Sequence, residues 1–183
     1  ALSDSAHRQQ VDQKPDQQPL RPVLIFIHGG SNVGGWSYEP NYHGGPLARK
    51  GVIVVTVAYR LGVFGWMNHP EMATSNLALH DLSVALDWVH THIAEFGGDP
   101  ERITVSGESA GAANALHLAL SPLSGTKISG VIHQSGGWPV VGGPTPGEAT
   151  ARALQLQKTL LGPNGSLEGL RGGPVQKIID VTG

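Results

Sequence analysis

The sequence predicts an α/β protein built on a mostly parallel sheet. Three observations carry that expectation: short apolar runs of strand length, amphipathic helical stretches placed between them, and glycine-rich turns at the junctions. Alternation of this kind is joined by right-handed crossovers, which layer helices against the sheet.

Residues 1–22 are rich in Gln, Asp, Lys, Pro and Ser and read as a polar arm or loop. The fold is therefore expected over residues 23–183. Residues 23–27 (VLIFI) and 52–57 (VIVVTV) are continuous apolar runs dominated by branched side chains. Continuous rather than alternating apolarity predicts strands covered on both faces.

Asn76 is placed to cap a helix carrying Leu79, Leu82, Ala85, Leu86, Val89 and Ile93 at three- and four-residue spacing, and Phe96-Gly97-Gly98-Asp99-Pro100 ends it. Residues 103–106 then predict a third strand, residues 110–120 a helix stopped near Pro122, and residues 130–134 a fourth strand. Past Ser135 the chain becomes loop-like, with glycine and proline clustered through residues 136–147. A helix is expected over residues 148–161 and a weaker one near residues 175–181.

With 14% charged residues and a formal charge of −2, the composition matches neither a disordered acidic tail nor a basic nucleic-acid binder. No apolar run approaches the roughly 20 residues of a membrane helix, so neither nucleic acid nor membrane is expected as a partner. The absence of cysteine removes thiolate metal sites and a cysteine nucleophile.

Gly107-Glu108-Ser109-Ala110-Gly111 sits where the third strand meets the following helix. A serine hydroxyl is a weak nucleophile at neutral pH, and an enzyme that uses one exposes it beside a base. A sharp strand-to-helix turn exposes it, provided the residues two positions either side are small enough for strand and helix to approach; here they are Gly107 and Gly111. The turn also leaves the Ala110 amide at a helix N-terminus, where it can face developing negative charge. His28-Gly29-Gly30, directly after the first strand, offers further amides unobstructed by side chains.

Nine histidines raise the question of metal or base. His80, His90 and His92 lack the spacing of a zinc helix, and no metal site is expected. His28 is read as a loop anchor and His133 as a histidine packed on the sheet. Trp36, Trp66 and Trp138 are either apolar pocket walls or core aromatics.

Together these residues resemble the type-B carboxylesterases of the α/β-hydrolase superfamily, a family that includes the cholinesterases. The resemblance rests on His28-Gly29-Gly30, Tyr59-Arg60-Leu61-Gly62-Val63-Phe64-Gly65, Asn76 to Asp81 leading into Ala85-Leu86-Asp87-Trp88-Val89, Phe96-Gly97-Gly98-Asp99-Pro100, residues 107–112, and Gln134-Ser135-Gly136. It implies an α/β-hydrolase fold, a mostly parallel sheet with helices on both faces, incomplete in this chain. It further implies that Ser109 is the acylated nucleophile and that Gly29, Gly30 and Ala110 form the oxyanion hole. Glu108 and Ser135 match positions close behind the triad and are candidate supporting groups. No metal or organic cofactor is implied, the substrate class is a small-molecule carboxylic ester, and a secreted or periplasmic location is favoured.

Ser31-Asn32 stand where the family often has glycine and an aromatic, and Ala78 and Leu82 where Gly and Gln are common. In this superfamily the triad runs serine, then acid, then histidine along the chain. The later acids are Glu148, Glu168 and Asp180, whereas the later histidines, His117 and His133, precede all three. The triad acid and histidine are therefore expected outside this chain, which reads as the N-terminal portion of a catalytic domain, whose remainder is either a second chain or a continuation. The alternatives are a catalytically inactive binding module of the same fold and an inert fragment.

Overall fold

A computed structural model of the chain describes residues 19–137 and 143–182. Four strands, β1 (Arg21–Ile27), β2 (Ile53–Val57), β3 (Gly98–Glu108) and β4 (Gly130–Gln134), form one sheet in the order β2-β1-β3-β4. Every pairing is parallel. Among the described residues seven α-helices accompany them: α1 (Gly45–Ala48), α2 (Gly62–Trp66), α3 (Leu77–His92), α4 (Ala110–Leu120), α5 (Pro146–Leu161), α6 (Leu167–Arg171) and α7 (Val175–Thr182).

Register fixes which side chains share a face. Val23, Ile25 and Ile27 of β1 lie beside Ile53, Val55 and Val57 on one side, and Ile27 lies beside Gly107 on the other. Val23, Ile25, Ile27 and Val57 are buried together with Ile103 and Val105 against Leu82, Leu86 and Val89 of α3 and Ala115 and Leu118 of α4, and Ile53 and Val55 pack partly buried against them. Each such aliphatic side chain contributes roughly 1.5–3 kcal/mol by leaving water, so this layer is the main source of stability.

The opposite face carries Leu24, Phe26 and Val54, which are half-buried. The segment around α1 leans on it: the Phe26 and Tyr42 rings lie 4.7 Å apart, and a methyl group on Gly44 would touch Val54 Cβ at 2.7 Å. The continuous apolar runs thus face helices on one side and a shorter helical segment on the other.

Several boundaries differ from the expectation. β1 begins at Arg21, inside the stretch expected to be polar arm, because the Arg21 amide donates to the Gly97 carbonyl at 2.9 Å and pairs with Gly98. The rest of that expected arm, residues 1–18, lies outside the described residues. β3 runs from Gly98 to Glu108 and not merely over residues 103–106. Its register jumps from Arg21↔Gly98 to Val23↔Ile103, which lets Pro100 sit in the strand without donating to a ladder. The Asp99 carboxylate secures the bulge by accepting from the Glu101 amide at 3.0 Å and Arg102 Nε at 2.7 Å.

Asn76 occupies the N-cap of α3 but in a left-handed conformation (φ 54), and its side chain makes no capping bond. α5 starts at Pro146, two residues before the expected Glu148, because Thr145 and Glu148 form a reciprocal capping box. Short helices α1, α2 and α6 have no apolar period long enough to read in the sequence. Trp138 lies outside the described residues.

Candidate active site

Ser109 links the end of β3 to the start of α4 with φ 55 and ψ −126, a backbone shape that L-residues rarely adopt. Packing imposes it. A methyl group on Gly107 would lie 2.3 Å from the Gly111 carbonyl carbon, and one on Gly111 would lie 2.1 Å from the Ile27 carbonyl oxygen. Both glycines are therefore required for strand, helix and β1 to meet at this point. The Ser109 amide is held by the Gln134 carbonyl at 2.9 Å, so the elbow is pinned to the end of β4. The Ser109 carbonyl in turn accepts from the Ala112 and Ala113 amides. Ala110, the first residue of α4, stands where an amide has no partner within its own helix.

The loop after β1 comes directly alongside. A methyl group on Gly29 would lie 3.2 Å from Ser109 Cβ, 2.8 Å from the Glu108 carbonyl oxygen and 3.0 Å from Glu108 Oε2. Gly29 is buried, whereas Gly30 is exposed with φ 99. Val33 and Gly34 both donate to the Gly30 carbonyl at 3.0 Å, closing a tight turn. Glu108 is exposed on the site's surface. Ser135 follows Gln134 directly in a left-handed turn (φ 54) and is also exposed. All six sequence-derived site residues, Gly29, Gly30, Glu108, Ser109, Ala110 and Ser135, thus gather where β1, β3, β4 and α4 converge.

His28, read from the sequence as a loop anchor, and residues given no role there hold this arrangement. His28 is buried, bonds the Gly29 carbonyl through Nδ1 at 2.8 Å and stacks on Tyr59 at 4.6 Å, which makes it a loop anchor. The Tyr59 hydroxyl donates to the His28 carbonyl at 2.9 Å. Burial pushes the Tyr59 phenol up to about 12, against the pull of a hydrogen bond from Asn114. Asn114 Nδ2 also donates to Asn32 Oδ1 at 2.7 Å.

Tyr42 completes the rim. Burial first, then the charges of Glu39 and Glu108, raise its phenol, while a hydrogen bond from the Gly29 amide works downward. The signal for Tyr59 was its place in the Tyr59–Gly65 motif; Asn114 and Tyr42 carried no sequence signal that separates them from core residues.

The other motif residues build the frame. Arg60 forks onto Asp81, with Nε to Oδ2 at 2.8 Å and Nη2 to Oδ1 at 2.7 Å. Burial pushes the Asp81 carboxyl up, but the hydrogen bonds and charge of Arg60 outweigh it and hold the group below its ordinary range. Gly62 donates to the Asn32 carbonyl at 2.6 Å, which ties the Tyr59–Gly65 segment to the glycine loop.

The two histidines that follow the elbow are occupied elsewhere in the fold. His133 pairs with Gly107 across the sheet, and its ring lies where a methyl group on Gly136 would meet Nε2 at 2.4 Å. His117 is eight residues along α4, roughly 12 Å down the helix axis from Ser109.

A cleft of about 900 Å³ opens beside the glycine loop, lined by Ser31, Asn32, Val33, Trp66, Arg152 and residues of α5. Trp66 also packs against the core. Trp36 is half-exposed, 6.2 Å from the Tyr38 ring. Among the described residues no helix is long and apolar enough to cross a membrane.

A parallel sheet with a strained serine at a strand-to-helix elbow and a glycine loop beside it defines the α/β-hydrolase class. The particular lineage follows from comparison with known proteins: the chain belongs to the carboxylesterase family, whose model matches residues 9–180. It is 45% identical over 123 residues to a fumonisin B1 esterase of Sphingopyxis macrogoltabida, covering 63% of this chain and 23% of that protein. It is 44% identical over 119 residues to the para-nitrobenzyl esterase of Bacillus subtilis (strain 168), covering 63% of this chain and 24% of that protein. Among solved structures, a thermophilic pNB esterase superposes with a TM-score of 0.80 at 36% identity, over 90% of this chain and 34% of its own. The chain thus spans about a quarter of the length of these curated relatives.

Proposed function

We propose that this chain carries the nucleophile and oxyanion half of a carboxylic ester hydrolase. The observation that supports it most directly is Ser109, held at φ 55 and ψ −126 between β3 and α4 with the Gly29 loop alongside. Esterase names on relatives more than 40% identical support the same reading.

In this reading Ser109 Oγ forms a bond to the ester carbonyl carbon while a histidine takes its proton. The carbonyl π electrons move to oxygen, and the resulting oxyanion is received by the amides of Gly29, Gly30 and Ala110. Collapse breaks the carbon–alkoxy bond, the histidine returns the proton to the departing alcohol, and an acyl-enzyme remains on Ser109. Water then attacks by the same steps and releases the acid. Glu108 and Ser135 support the polar side of the site. Histidine and its carboxylate partner come from outside these 183 residues, from a longer polypeptide or a second chain. A secreted or periplasmic location, favoured by family resemblance, is read by fractionating the native host.

The test is intact mass after incubation with a fluorophosphonate, comparing the protein with Ser109→Ala. One adduct that disappears in the variant supports an activated Ser109. Absence of the adduct in the complete, folded hydrolase would overturn the reading.

A further inference from the structure

We propose that Asn114 is a positioning residue for the oxyanion site, acting through Asn32; this rests on the proposed esterase reading. The amides assigned to the oxyanion come from two separate elements, the loop after β1 and the N-terminus of α4. Backbone packing at Gly111 sets how near α4 comes to the end of β1, and a side-chain bridge then ties the loop beyond β1 to the helix: Asn114 Nδ2, on α4, donates to Asn32 Oδ1, in the loop, at 2.7 Å.

The bridge is built for one arrangement. Asn114 is 1% exposed, so its amide has to find partners inside the protein. The buried Tyr59 hydroxyl, which donates to the His28 carbonyl at 2.9 Å, approaches the same Asn32 Oδ1 at 3.4 Å. The Asn32 carbonyl accepts from the Gly62 amide at 2.6 Å. Ser31 and Asn32 are consecutive left-handed residues, with φ 55 and φ 62. Asparagine tolerates that region and serine does so reluctantly, so the pair persists because Asn32 is held from both its side chain and its backbone. Asn32 thereby fixes the turn around the Gly30 carbonyl and with it the peptide groups beside Ser109.

The position is distinct from the chemistry. Asn114 lies in the second turn of α4, and its side-chain amide donates to Asn32. It therefore acts on where donors stand.

The experiment uses the protein with Asn114→Leu, Asn32→Gly and the double variant. Leucine keeps the approximate size of Asn114 but cannot donate, and glycine keeps the left-handed freedom of position 32 while removing the acceptor. Two readouts are taken at matched folding, checked by near-ultraviolet circular dichroism: the maximal rate and the apparent affinity of fluorophosphonate labelling, and hydrogen exchange of a peptide spanning residues 28–34. A positioning role predicts that Asn114→Leu lowers the maximal labelling rate by about tenfold or more with affinity within about twofold. It also predicts exchange in residues 28–34 faster by about tenfold, and a double variant no worse than the single. Parent-like labelling and exchange in Asn114→Leu would overturn it, as would a fall in affinity alone. If the complete hydrolase with Asn114 and Asn32 intact is itself not labelled, the esterase reading fails and loop exchange still decides whether Asn114 holds the loop. Should Asn114→Leu not fold, Tyr59→Phe, which removes a single hydroxyl of the same network, is measured in its place, with the same pattern expected and parent-like values overturning the network.

Discussion

Gly111 Cα faces the Ile27 carbonyl so closely that a single added methyl group would stand 2.1 Å from that oxygen. One helix residue therefore sets how near α4 comes to β1, and the same closeness brings the Gly29 loop beside Ser109. The contact is backbone against backbone, so no rotamer change can relieve a larger side chain.

Gly111→Ala is expected to destabilise the protein by about 3 kcal/mol or more, since overpacking that side chains cannot absorb falls at the upper end of its usual range. Thermal unfolding by circular dichroism should show a midpoint lower by roughly 10 °C. An unchanged midpoint would mean the helix can move away, and the steric account of the elbow would be wrong.

Ser109 stores strain that glycine would not. Ser109→Gly is expected to stabilise the fold by about 1 kcal/mol, after the greater unfolded-state freedom of glycine is set against relief of the φ 55 conformation. The same variant should take no fluorophosphonate label. A urea midpoint equal to or below that of the parent, with unchanged slope, would argue that the elbow carries no strain.

The Arg60–Asp81 fork joins the segment after β2 to α3. Because the Asp81 carboxyl is held below its ordinary 3.8 in the folded state, its contribution is present above that value and is lost as pH falls through the depressed one. Arg60 is 47% exposed, so solvent screening limits the expected cost of Asp81→Asn to about 1 kcal/mol at neutral pH. Urea titrations should show the gap between parent and variant closing below about pH 4. A gap that persists undiminished at low pH would place the effect in packing and not in charge.

Tyr59 behaves in the opposite sense. Burial lifts its phenol to about 12, so the neutral form is favoured by folding and stability should fall as pH rises from about 10 toward the folded value. Tyr59→Phe should cost about 1 kcal/mol at neutral pH, the net worth of a typical hydrogen bond, and should lessen that alkaline loss. An identical alkaline profile in the variant would assign the loss to another group.

Much of the fold was legible in the residues because parallel strands buried on a common face need continuous branched apolar runs, and residues 23–27, 52–57 and 103–106 supply them. The elbow was legible for a related reason: Gly107 and Gly111 are demanded by close approach of backbones, and steric demands leave residue-specific marks. Boundaries were harder. Arg21 and Pro22 look like loop, and only the pairing of Arg21 with Gly98, on the neighbouring strand but far along the chain, makes them strand. Asn76 looks like a cap, yet its left-handed backbone turns the side chain from that task.

The sequence by itself determined the α/β class, the strand-turn-helix around Ser109 and the glycine loop after β1, since each depends on residues close together in the chain. Tertiary structure alone decided that Gln134 pins the Ser109 amide, that the Tyr42 ring packs against Phe26, and that Asn114 reaches Asn32 across 82 residues. Polar side chains such as these read alike whether they face solvent or a partner, and their meaning is fixed only when sheet register and helix packing set the distances between them.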